Sequence, residues 1–219
     1  STWPTTYYGA KSGVGLAMNY FPTNAPRRIG LVGLGVGTLA SYGRAGDYLR
    51  IYDINPQVKH LAETRFTYLP KCKAKVDVVL GDARLSLENE PPQKFDVLAL
   101  DAFSSDSIPV HLLTREAFEI YERHMNPGGV IVVHISNRYL DLEPVVDGLA
   151  QHFKYHRAAI SDDKEEDWWV YTSTWVLLTH NAALIESDAI KDATNVEREL
   201  KAKIPLWTDE FTSIYPILQ

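Results

Sequence analysis

Arg28-Ile29-Gly30-Leu31-Val32-Gly33-Leu34-Gly35-Val36-Gly37-Thr38-Leu39-Ala40 is the stretch that decides the architecture. A short apolar run of strand type enters three glycines at alternate positions and leaves them in residues that open a helix. Glycine turns the backbone tightly and lets a ligand approach where any side chain would collide. The spacing is GxGxG rather than the GxGxxG of dinucleotide sites, which favours a nucleoside ligand without a pyrophosphate. The competing reading is a tight strand-to-helix turn with no ligand at all.

Outward from that motif, apolar runs alternate with amphipathic segments, the pattern of a parallel sheet covered by helices. Strands are expected near 29–33, 49–53, 76–80, 95–101, 129–135, 156–160 and 174–180, and helices near 37–44, 56–67, 111–125 and 141–153. Asn126-Pro127-Gly128-Gly129 should stop a helix and release the chain into Val130-Ile131-Val132-Val133. The crossover after the third strand reads as short. The expected fold is therefore α/β, doubly wound, with a mostly parallel seven-stranded sheet. Residues 1–24 break the pattern and read as a small β-hairpin, pairing 5–8 with 15–20, that serves as a lid or edge; residues 25–219 form the nucleoside-binding domain.

A chain of 219 residues with 45% hydrophobic and 23% charged content is long enough for one substantial core, and no apolar run approaches the roughly 20 residues of a membrane span. Cys72 is the single cysteine, which excludes an internal disulfide and a multi-cysteine zinc site and fits a reducing, cytoplasmic setting. The formal charge of −6, with no face rich in Lys and Arg, argues against nucleic acid and suits a small or cationic substrate. The sequence starts at Ser1 without a methionine or a signal-peptide pattern, as a processed product or an excised piece would. Residues 161–167 read as an acidic solvated loop leading into Trp168-Trp169-Val170-Tyr171.

Three carboxylates fall at strand ends, where ligands lie in open α/β sheets. Asp53 ends the second strand sixteen residues after Gly37, at the distance suited to ribose hydroxyls, while Asn55 is the better cap for the helix at Pro56. Asp82, with Ala83, follows the third strand and is placed for an adenine amino group, or is simply a turn residue after Gly81. Asp101 ends the fourth strand, and Asp106 follows in the next loop; together they suit a substrate amine and the removal of its proton. His134 and Ser136 end the fifth strand, lining the pocket or filling the interior. No catalytic metal is expected: His152 and His156 lack the intervening Glu of a metalloprotease helix. Ser12, Ser104 and Ser105 lack a GxSxG elbow, so a hydrolase is not indicated.

Taken together, these motifs resemble the spermidine synthase family, aminopropyltransferases on the class I methyltransferase fold, and especially spermidine synthase-like domains fused to membrane transporter-like segments. The resemblance covers residues 5–180 and returns at Trp207-Thr208-Asp209-Glu210-Phe211; Leu100 to Phe118 is its most specific part. It implies that Gly33, Gly35 and Gly37 contact the amino-acid-derived part of decarboxylated S-adenosylmethionine, Asp53 the ribose, and Asp82 with Ala83 the adenine. Asp101 would be the catalytic base toward putrescine or a related amine, with Asp106, Tyr8, His134 and Trp207 on the substrate side and methylthioadenosine released. It also implies a homodimer, in which Trp168, Trp169 and Trp175 fill either the interface or the core. Two departures bear on the substrate. The compact Asp-x-x-Asp-Pro loop of the family is stretched here to Asp101–Pro109, and no acidic residue follows Tyr7-Tyr8. The alternatives are an S-adenosylmethionine-dependent methyltransferase and a non-catalytic nucleoside-sensing domain of a transporter.

Overall fold

The structure, a computed structural model, describes residues 3–102, 109–162, 171–194 and 204–219. Seven strands, β1 (Arg28–Val32), β2 (Tyr48–Asp53), β3 (Lys75–Leu80), β4 (Phe95–Leu100), β5 (Met125–His134), β6 (His156–Ser161) and β7 (Thr174–Thr179), form one sheet in the order β3-β2-β1-β4-β5-β7-β6. All neighbours are parallel except β7, which runs antiparallel to both β5 and β6. The order reverses between β1 and β4, so the crevice for a ligand opens at their carboxyl ends.

The central strands are apolar on both sides because both faces are covered. Ile29, Leu31, Val97, Ala99, Val130 and Val132 point into one core, which also takes Val14, Ala17 and Met18 of α1 (Gly13–Tyr20). Leu98, Leu100, Ile131 and Val133 point into the other, shared with α3 (Ala83–Asn89), α4 (Arg115–His124) and α5 (Glu143–Phe153). Between α1 and α3 lies α2 (Pro56–Thr64), and two short helices, α6 (Ala182–Ile185) and α7 (Asp188–Ala193), follow β7.

The expected strands are all present, within a residue or two of the anticipated bounds apart from an early start to β5. Asn55 caps α2 by accepting from the Gln57 amide at 2.9 Å, with Pro56 in the first turn, as its sequence position implied. The helix over 37–44 is a 3₁₀ turn, Thr38–Tyr42. Helix α4 stops at His124, and Pro127-Gly128 lies within β5 where the register with β4 shifts between Phe95 and Val97; Gly128 takes φ +83°. A bulge is where a sheet accommodates proline.

Two expectations fail. Residues 13–20 are helical, not half of a hairpin: Ser12 caps the helix by accepting from the Gly15 amide at 3.2 Å, and Val14, Ala17 and Met18 fall three and four apart on one buried face. The crossover after β3 contains a helix, because Asp82 accepts from the Leu85 amide at 3.0 Å and so starts α3.

Arg27 fastens α1 to the sheet. Its guanidinium and backbone amide both reach Asp47, and it also donates to the carbonyls of Met18 and Tyr42, with both charged side chains 2% exposed or less. Burial by itself would raise the Asp47 carboxyl, but the hydrogen bonds from Arg27 and from the Arg44 amide outweigh it and hold the group below its ordinary value. Asp47→Asn strands a buried guanidinium and should cost about 3–5 kcal/mol in denaturant unfolding. A depressed folded value means that the wild-type contribution is complete above the ordinary carboxylate range and is lost as the pH falls through the folded value. The gap between wild type and variant should therefore narrow in acid.

Candidate active site

A cleft of about 1000 Å³ opens at the carboxyl ends of β1, β2, β3, β4 and β5 and is lined by Gly33, Gly35, Asp53, Asp82, Ala83, Asp101 and His134, together with Tyr7 and Tyr8. The sequence therefore located the three carboxylates on one cavity. Of the other expected site residues, Gly37 and Trp207 do not line it, and Asp106 lies outside the described residues.

The glycines do different things. A Cβ on Gly33 would stand 2.4 Å from the Asp101 carbonyl oxygen at φ +97°, so Gly33 is required by the approach of β4. Gly35, at φ +51°, would meet nothing within 4 Å and leaves open space on the cleft wall, as a ligand-facing glycine should. Gly37 is left-handed at φ +84° and faces Leu69, which makes it the hinge into the 3₁₀ turn.

Asp53 uses its two oxygens to hold the glycine turn and its own loop, accepting from the Leu34 amide at 2.9 Å and the Asn55 amide at 2.8 Å. A carboxylate has about four acceptor positions, so capacity for ribose hydroxyls is left. Asp82 caps α3 with one oxygen, while the other lies 2.9 Å from His111 Nε2. Burial alone would raise Asp82, but the Leu85 amide and His111 together lower it. The sequence reading missed His111, which carried no signal beyond its place in the loop after β4.

Asp101 is more enclosed than Asp82, with side-chain exposures of 9% and 24%. One carboxylate oxygen accepts from the Tyr8 hydroxyl at 2.7 Å, and the other lies 2.8 Å from His134 Nδ1, whose Nε2 is 2.9 Å from Ser136 Oγ. The His134 ring stacks on Trp175 at 4.2 Å between centroids, with a 10° interplanar angle. Burial and the adjacent Asp101 carboxylate push the Tyr8 phenol far above its usual value, so it stays a hydrogen-bond donor. The segment bearing Tyr7 and Tyr8 is pinned to the β7 side: Ser173 Oγ donates to the Tyr7 carbonyl at 3.1 Å and the Tyr171 amide to the Thr6 carbonyl at 3.0 Å.

Trp207 is a correction. It is 2% exposed inside the core with Phe118 and Tyr121, where burying a large apolar surface outweighs any role at the cleft. The segment after it is an anchor: Asp209 pairs with Arg84 and accepts from Thr114 Oγ1 at 2.9 Å. Trp175 fills the core and not an interface, being fully buried, while Trp168 and Trp169 lie outside the described residues. Among the described residues no group of His, Cys, Asp and Glu could hold a metal, and no helix is long and apolar enough to cross a membrane.

No family model matches the chain. A polyamine aminopropyltransferase of Vibrio vulnificus is 34% identical over 116 residues, which make up 50% of this chain and 38% of that protein. A probable polyamine aminopropyl transferase of Bifidobacterium longum is 40% identical over 43 residues, 20% of this chain and 10% of the other. The chain thus has spermidine synthase-like relatives, and the matched stretch spans less than two fifths of their length. Among solved structures, a probable spermidine synthase from Corynebacterium glutamicum superposes with a TM-score of 0.59 at 17% identity, covering 88% of this chain and 80% of that one. The Thermotoga maritima spermidine synthase gives 0.53 at 16%, covering 89% and 66%. Human methyltransferase-like protein 13, solved with SAH, gives 0.58 at 14%, covering 85% and 92%. The fold is the methyltransferase-like Rossmann fold.

The two glycines of the turn should separate on substitution. Gly33→Ala forces the added carbon into a backbone carbonyl and should destabilise by more than about 3 kcal/mol, whereas Gly35→Ala carries only the left-handed penalty of about 1–2 kcal/mol. Urea unfolding of the two variants measures the difference.

Proposed function

We propose that the chain is an aminopropyltransferase domain that moves the aminopropyl group of decarboxylated S-adenosylmethionine to a small amine, leaving methylthioadenosine. The observation that carries this reading is Asp101, an enclosed carboxylate on the cleft, held by Tyr8 and His134 and facing the space next to the glycine turn. Methyl transfer needs only a nucleoside pocket and an aligned acceptor. An amine acceptor is different, because it arrives protonated at neutral pH and must lose a proton before its lone pair can attack. A carboxylate both attracts the cation and receives that proton.

The residues suit the co-substrate. Gly35 leaves room at the wall, Asp53 retains acceptor capacity for a ribose, and Asp82 with Ala83 borders the space for a base. The described lining carries Asp53, Asp82, Asp101, Asp141 and Glu143 against a single guanidinium, Arg138, a balance that suits a chain ending in an ammonium better than one ending in a carboxylate. In the transfer, the acceptor nitrogen forms a bond to the aminopropyl carbon as the carbon–sulfur bond breaks. The electron pair goes to sulfur, neutralising the sulfonium, and the acceptor's proton goes to Asp101.

Calorimetry with methylthioadenosine, decarboxylated S-adenosylmethionine and S-adenosylmethionine, followed by mass analysis with a panel of diamines, tests this reading. The decarboxylated co-substrate should bind more tightly than the intact one, and the product should be heavier by one aminopropyl group. Asp101→Asn should reduce turnover by about 10²–10⁴-fold while leaving methylthioadenosine binding in place. Preference for S-adenosylmethionine with methylated products would favour the methyltransferase, and no binding of any of the three would overturn the nucleoside site.

A further inference from the structure

Behind Asp101 runs a row of hydrogen bonds through His134 and Ser136 to the Thr174 amide. The Thr174 amide lies 2.7 Å from Ser136 Oγ and can only donate, so it occupies a lone pair of that oxygen. That hydroxyl keeps a second lone pair and its hydrogen, so it can meet His134 Nε2, 2.9 Å away, as acceptor or as donor; the carboxylate on the far side of the ring decides between them, because it accepts at Nδ1. The ring proton is left on Nδ1, 2.8 Å from Asp101 Oδ1, while Tyr8 donates to Oδ2. Every donor points toward the carboxylate.

We infer that Ser136 and the Thr174 amide hold His134 as its Nδ1–H tautomer, making His134 a positioning residue that keeps the Asp101 carboxylate oriented toward the cleft. The inference rests on the reading of Asp101 as the group that receives the acceptor's proton. Stacking on Trp175 and a side-chain exposure of 6% keep the imidazole from turning away. A row of serine, histidine and aspartate at these distances has the connectivity of a nucleophilic triad, but it works in the opposite direction. Ser136 and Asp101 both line the cleft, but the serine oxygen is tied by the Thr174 amide. His134 therefore acts through Asp101 while lining the cleft beside it.

Long-range ¹H–¹⁵N spectra of histidine-labelled wild-type protein read the tautomer without any substrate. The expected result at neutral pH is a protonated Nδ1 and a bare Nε2 for His134, disturbed in Ser136→Ala. An Nε2–H tautomer or an imidazolium in the wild type overturns the proposal. Kinetics supply the second readout. His134→Phe keeps the stack on Trp175 but removes the donor, and should lower kcat/KM about 10–100-fold with methylthioadenosine affinity unchanged. His134→Asn, whose amide nitrogen falls near the Nδ1 position, should recover part of that loss, and an Asn variant no better than Phe overturns the positioning role. Wild-type protein that transfers to no amine defeats the functional reading, while the tautomer spectrum still decides the hydrogen-bond direction.

Discussion

Where a Cβ on Gly33 would stand, the Asp101 carbonyl oxygen is only 2.4 Å away, and the geometry of the cleft follows from that contact. The Asp101 amide donates to the Val32 carbonyl, the Gly33 amide to the Tyr52 carbonyl, and the Leu34 amide to Asp53. Three successive strand ends are thereby laced together by backbone amides at the point where the sheet order reverses. Any residue with a side chain at position 33 would push β4 from β1, and Asp101 and Asp53 would part with them. The first glycine of the motif thus sets the spacing of the carboxylates before any ligand arrives.

Within that frame, each strand-end carboxylate serves the protein with one part of its capacity and leaves another part to the cleft. Asp53 holds the glycine turn, Asp82 starts a helix, and Asp101 secures the N-terminal segment through Tyr8. The N-terminal segment is then tied twice more, by Tyr42 donating to the Tyr8 carbonyl at 2.7 Å and by the Arg27–Asp47 pair beneath α1. Pre-paired carboxylates are already oriented, so binding a ligand does not require ordering them.

The periodicities that were legible were those of the buried strands. Ile29 to Val32, Phe95 to Leu100 and Val130 to Val133 are apolar because helices cover both faces, and such runs leave few alternatives. The helix α1 was illegible as such because Gly13 and Gly15 look like turn residues. In the structure they are sites of close approach, with a Cβ on Gly15 2.2 Å from the Gly9 carbonyl oxygen and one on Gly13 2.5 Å from Trp175. Packing overrode propensity there. Asp82 was read as a ligand contact, and the same carboxylate proved to be a helix cap as well. His111 beside Asp82, and the partnership of Ser136 with Thr174, join residues 29 and 38 positions apart in the chain, and no local pattern announces a contact of that span.

On the proposed reading, a glycine turn and an acidic residue after β2 would serve either co-substrate. On that same reading the distinction between methyl and aminopropyl transfer falls where Tyr7, Tyr8, Asp101 and His134 meet. The two tyrosines and the imidazole stacked on Trp175 enclose the Asp101 carboxylate there, and the same lining also carries Arg138 and Glu143. Donors on both oxygens hold the Asp101 carboxylate to the cleft, which accounts for Tyr8 and His134 being drawn in from two distant parts of the chain.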